Sequence, residues 1–130
     1  MLAIYLKRYP LTILTTIAII ILSLMPFPEI EIAEDIPFYD KWAHFVMYGF
    51  LSLIAWIENA RSRVDSQRER MLVCVIIPGI LGGVLELAQE YLTTTRNGDW
   101  WDFLADLTGV VLGSFVGLII LLNMKKKKEN

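Results

Sequence analysis

At 130 residues the chain has room for one domain. Its composition excludes an ordinary water-soluble one: 55% of the residues are hydrophobic and mean hydropathy is +0.52, against about 45–50% apolar in soluble domains. The single cysteine, Cys74, excludes an intrachain disulfide framework and a cysteine-based metal cluster, and with a net charge of −2 no nucleic-acid partner is expected.

Residues 1–8 are short, partly apolar and end on Lys7 and Arg8. Residues 11–25 follow as an unbroken run of apolar, Thr and Ser residues, closed by Pro26 and Pro28. With Tyr9 and Phe27 the run makes a first membrane span over residues 9–27, about 19 residues or roughly 28 Å of helix. Lys7-Arg8 also resembles the charged start of a signal peptide. No A-x-A-like cleavage site follows Leu22, so the run is read as a retained span. Residues 28–40 carry Glu29, Glu31, Glu34, Asp35 and Asp40 with no basic residue, and read as a solvated acidic loop.

The second span is expected over residues 38–57, with Phe38, Tyr39 and Trp42 at one interface and Trp56 at the other. Asp40, His44 and Tyr48 recur every four residues and so share a helix face. His44 is the only histidine. Residues 58–70 are polar and basic and form a turn that fixes topology. The third span, residues 71–92, carries Gly79, Gly82, Gly83, Glu86, Gln89 and Glu90 along one stripe, with Pro78 placed to kink it or free a carbonyl. A glutamate that deep in an apolar segment is costly and points to function. Residues 93–101 form a tight turn around Asn97-Gly98. The fourth span, residues 103–122, opens with Asp102 and Asp106 one turn apart and continues as Gly109-x-x-x-Gly113-x-x-x-Gly117, a helix-packing pattern.

Ten of the 12 basic residues fall on one side of this arrangement: Lys7, Arg8, Arg61, Arg63, Arg68, Arg70 and the four lysines at 125–128. Excess Lys and Arg marks the cytoplasmic side. The expectation is an all-α membrane protein, a single domain over residues 1–130, with four transmembrane helices in an antiparallel bundle and both termini cytoplasmic.

Three pieces in this order resemble the VanZ-like family of small bacterial membrane proteins, named for a member associated with teicoplanin resistance: Asp40-Lys41-x-x-His44-Phe45, then Glu86-x-x-Gln89, then Arg96 followed by Asp102-x-x-x-Asp106-x-x-Gly109-x-x-x-Gly113. The resemblance covers roughly residues 40–117; the first span matches only as a hydrophobic segment. It implies a multi-pass protein of the bacterial inner membrane with a role in the cell envelope and a link to glycopeptide tolerance. It does not identify a reaction.

Topology brings the acidic ends of three spans and one turn to a common depth. His44, Glu86 and Asp102 are the candidate catalytic residues, with His44 and Glu86 as an acid/base pair. Asp40, Lys41, Gln89, Arg96 and Asp106 are the candidate ligand-binding residues; Lys41 and Arg96 suit a phosphate or carboxylate. The substrate class this favours is an envelope lipid or lipid-linked wall precursor. Two other readings stay open. His44 with Glu86 and Asp102 or Asp106 offers one nitrogen and two or three oxygens to Zn²⁺ or Mn²⁺, but no H-x-x-x-H or H-E-x-x-H pattern exists, so no metal ligand or cofactor is assigned. Alternatively the polar cluster only fixes helix packing, with function in a second copy or a partner membrane protein.

Overall fold

The computed structural model describes residues 1–26, 35–63 and 65–130. The acidic positions Glu29, Glu31 and Glu34 lie outside the described residues, as do Phe27, Pro28 and Val64. The described chain is helical, with no strand among the described residues. Helix α1 is Leu2–Arg8, α2 Pro10–Leu24, α3 Tyr39–Arg61, α4 Gln67–Met71, α5 Ile77–Leu92 and α6 Trp100–Glu129. A π-helical turn, Leu72–Ile76, joins α4 to α5.

The first expected span, residues 9–27, is helical over Pro10–Leu24, and the chain bends at its first residue. Pro10 sits at the start of α2, where its fixed φ and missing N–H are harmless. The residue before a proline is pushed out of the α region, and Tyr9 accordingly has φ −126° and ψ 47°. The two helices meet there at 93°. Breaking the helix strips the first turn of α2 of its acceptors, and Glu58 from the far end of α3 replaces them. Its carboxylate accepts from Leu11 N and Thr12 N, both at 2.9 Å, and from Thr12 Oγ1 at 2.7 Å. Residues Arg8 and Tyr9 at the elbow both donate to Glu69, and Asn59 Nδ2 donates to Tyr9 Oη at 2.8 Å. This end of the bundle, which also holds the lysines at 125–128, is the basic end.

Pro78 has no N–H to offer the carbonyl of Cys74 four residues earlier. Ser52 Oγ of α3 donates to that carbonyl at 2.7 Å, so the freed group is satisfied across helices. The tightest helix pair is α3 with α6, and it is made by glycine. A Cβ on Gly109 would run into the carbonyl oxygen of Phe45, one on Gly113 into that of Gly49, and one on Gly117 into the Trp56 side chain. The G-x-x-x-G-x-x-x-G stripe is therefore spent inside the chain, on a parallel neighbour that is not its neighbour in sequence. Contacts Thr12–Glu58, Ser52–Cys74 and Ser23–Gln89 set α2 and α5 running against α3.

The interior is strongly polar: His44, Ser52, Glu58, Asn59, Glu86, Gln89, Asp102 and Asp106 are all buried, beside Tyr48, Leu51, Ala55, Leu85 and Val110. Large apolar side chains face outward instead, among them Val46, Phe50, Ile80, Val111 and Phe115. Among the described residues two helices are long and apolar enough to cross a membrane, Gln67–Leu92 and Trp100–Glu129, and a third if the bent pair α1–α2 is one span. Helix α3 is not among them, because Asp40, Lys41, His44, Glu58 and Asn59 dilute its apolar run.

Candidate functional site

Opposite the basic end, the start of α3, the end of α5 and the start of α6 converge with the turn at residues 93–99. Asp99 caps α6 by accepting Trp101 N at 2.9 Å, which places Asp102 in the first turn and Asp106 one turn deeper on the same face. Position α3 brings Asp40, Lys41, His44 and Tyr48 along its facing stripe, and α5 brings Glu86 and Gln89.

His44 is the hub, 5% exposed. Its Nδ1 lies 2.8 Å from Asp106 Oδ1 and 3.7 Å from Glu86 Oε1, and its Nε2 lies 3.7 Å from Asp102 Oδ2. The histidine's nearest acid is thus Asp106, with Glu86 and Asp102 flanking at longer range. Room for the Asp106 carboxylate exists because residue 82 is glycine: a Cβ there would come within 2.8 Å of Asp106 Oδ2. Lys41 forms a second knot, its Nζ 3.2 Å from Asp40, 3.1 Å from Asp99 and 3.2 Å from Asp102 Oδ1. Asp102 therefore links the two knots through its two oxygens.

Gln89 and Arg96 are placed differently from the charged knot. Gln89 Nε2 donates to the Ser23 carbonyl at 2.8 Å, and Arg96 Nη1 reaches the Met25 carbonyl at 3.4 Å. Both serve carbonyls at the end of α2 that the helix cannot pair itself. The turn is held from beneath: Asp99 N donates to Glu86 Oε2 and Gly98 N to Glu90 Oε2, each at 2.8 Å. Glu90 and Asp99 are thus organisers of the turn. In Asp99 the Trp101 N–H, with Lys41 beside it, holds the carboxyl below the usual aspartate range.

A cavity of about 350 Å³ opens beside this cluster. Its polar wall is Asp40, His44, Gln89, Arg96 and Asp102, and its apolar wall includes Leu22 and Met47. Tyr39, Thr95 and Asn97 also line it; none of them was expected at the site, and Tyr39 was read only as an interfacial aromatic. For Asn97 the signal was present but was read only as turn propensity. Glu86, Asp106 and Lys41 stand behind this wall. No protein-family model, curated protein or solved structure matches the chain. The site is read from its geometry.

Proposed function

We propose that the chain is a four-span protein of the bacterial inner membrane, both termini cytoplasmic, related to the VanZ-like proteins, and that its cavity holds the polar headgroup of an envelope lipid or lipid-linked wall precursor. The observation that carries this reading is the mixed lining of the 350 Å³ cavity, with Arg96, His44 and Asp102 on one side and Leu22 and Met47 on the other. Ligand sites of this kind join a largely apolar wall to a few convergent polar groups. Leu22 and Met47 also line an adjoining groove with Leu14, Ile19 and Phe50, which takes an acyl or prenyl tail while the headgroup enters the cavity. Arg96 supplies the fixed charge for phosphate. His44 and Asp102 face the headgroup, with Lys41 and Asp106 holding them in register. Through the resemblance, the physiological setting is envelope maintenance and glycopeptide tolerance.

Native mass spectrometry of protein extracted in mild detergent tests this. A bound phospholipid or lipid-linked phosphate is expected on the wild type and is expected to be lost from Arg96→Ala, with helicity and Tm little changed. Lipid retention identical in the two proteins would sink the headgroup reading. A fall in Tm shared by His44→Ala, Glu86→Gln and Arg96→Ala, without loss of any ligand, would favour a cluster that only packs helices.

A further inference from the structure

The structure assigns a divalent-cation site, of the zinc or manganese class, to His44 Nδ1, Glu86 and Asp106. One ligand atom from each of the three lies within 4.8 Å of the others, and the three residues come from α3, α5 and α6. All three are buried, at 5%, 3% and 0% exposure. Two of their oxygens, Glu86 Oε1 and Asp106 Oδ2, have no hydrogen-bond partner. A buried acceptor without a donor is uncommon and costly. Glu86 Oε1 is also the atom that stands 3.7 Å from His44 Nδ1. An ion about 2.0–2.2 Å from each tetrahedral ligand holds those ligands roughly 3.3 Å apart, between the 2.8 and 3.7 Å separations around Nδ1.

Two of the atoms facing away from this point have a neighbour in place, Glu86 Oε2 by a hydrogen bond and His44 Nε2 by a carboxylate 3.7 Å off. His44 Nε2 is turned to Asp102, whose other oxygen takes Lys41. Glu86 Oε2 accepts the Asp99 N–H. A metal-bound histidine characteristically gives its second N–H to a carboxylate, and such outer contacts fix ligand orientation. The other group of three acids, Asp40, Asp99 and Asp102, also lies within 4.8 Å, but the Lys41 ammonium sits among them and does the work of a cation. Asp40, Glu86, Asp99, Asp102 and Asp106 gather around Lys41 and His44, a setting rich in carboxylate that suits a divalent ion. One imidazole and two carboxylates suit Zn²⁺ or Mn²⁺ and leave a coordination position open. Of the three ligands, His44 also lines the cavity. With the ion bound, His44 and Glu86 act as ligands rather than as an acid and base. The headgroup reading does not enter this assignment.

The test is metal stoichiometry on the whole chain in detergent. Protein stripped with chelator and titrated with Zn²⁺, then separately with Mn²⁺, is expected to take up one equivalent of at least one of them. Glu86→Gln and Asp106→Asn are expected to weaken that binding at least about 10-fold, and Asp65→Asn at the basic end to leave it unchanged. Wild-type protein alone gives a second readout, because its single histidine yields one pair of ¹⁵N imidazole resonances. Added metal should move Nδ1 by far more than Nε2. Failure of stripped wild type to bind either ion, an unmoved Nδ1, or full affinity in a folded Glu86→Gln would overturn the assignment.

Discussion

Asp99 uses one carboxylate oxygen to cap α6 and the other to meet Lys41. Its pKa is depressed, first by the Trp101 N–H and then by Lys41. The stabilisation is therefore complete above the ordinary aspartate value of about 3.9 and is lost as pH falls through the depressed folded value. With the side chain 38% exposed, the charged contact is worth less than about 1 kcal/mol. Asp99→Asn keeps a capping oxygen but not the charge. The wild type should melt higher than this variant at pH 6, with the gap closing as pH falls below the ordinary aspartate value and through the depressed one; a gap that does not vary with pH would refute the linkage. The neighbouring glycine shows where sequence signals mislead. Asn97-Gly98 reads as a turn because glycine tolerates positive φ, yet no glycine among the described residues has one. Gly98 is needed for space: a Cβ there would lie 2.7 Å from the Glu86 carbonyl oxygen and 3.0 Å from Glu90 Cβ. Gly98→Ala should cost about 1–3 kcal/mol in detergent unfolding. A cost near zero would mean that the turn relaxes freely over α5.

At the scale of elements, the helices themselves were legible because long apolar runs leave little choice of structure. The expected spans at 71–92 and 103–122 fall within the Gln67–Leu92 helix and α6, and the one at 38–57 falls within α3 but for Phe38, which precedes it. What periodicity conveys is which residues share a face, and it is silent on which face meets which. The glycine stripe of α6 was visible, but its partner Gly49 stands in no pattern of its own. Likewise Asp40, His44 and Tyr48 were legible as a stripe, whereas the close pairing of His44 with Asp106 follows from the depth at which Gly109 and Gly113 seat α6 on α3. The elbow at Tyr9 was announced by Pro10 and masked by the apolar run on both sides. Packing density at glycine gives a direct test. A Cβ at Gly79 meets only Leu107 Cδ2, at 3.4 Å, an ordinary contact, and alanine gains helix propensity of about 1 kcal/mol. Gly79→Ala should be neutral or stabilising. Gly113→Ala would force the α3 backbone away and should cost about 1–3 kcal/mol, read as a lower unfolding midpoint; equal effects at the two positions would show that the α3–α6 seam is loose.

Taken whole, the molecule inverts the usual distribution of polarity, and that inversion accounts for the least apolar of its long helices. Helix α3 buries His44, Ser52, Glu58 and Asn59 against its neighbours and turns Val46 and Phe50 outward. Burial among protein groups is where ionisable residues at membrane depth are tolerated. Glu58 caps α2, Ser52 completes the Cys74 carbonyl and His44 meets Asp106, so these three polar groups of α3 each have a partner on another element. If α3 spans, the turn at residues 93–99 and the segment around residue 67 lie on opposite sides, and the basic end is cytoplasmic. Single cysteines at exposed positions decide this against a silent background, because Cys74 is fully buried. In intact cells a membrane-impermeant maleimide should label Thr94→Cys and leave Gln67→Cys untouched until the membrane is permeabilised. Labelling of Gln67→Cys alone would reverse the orientation and place the His44 cluster toward the cytoplasm. Labelling of both in intact cells would remove the four-span arrangement, and with it the access of an outer-leaflet headgroup to the cavity.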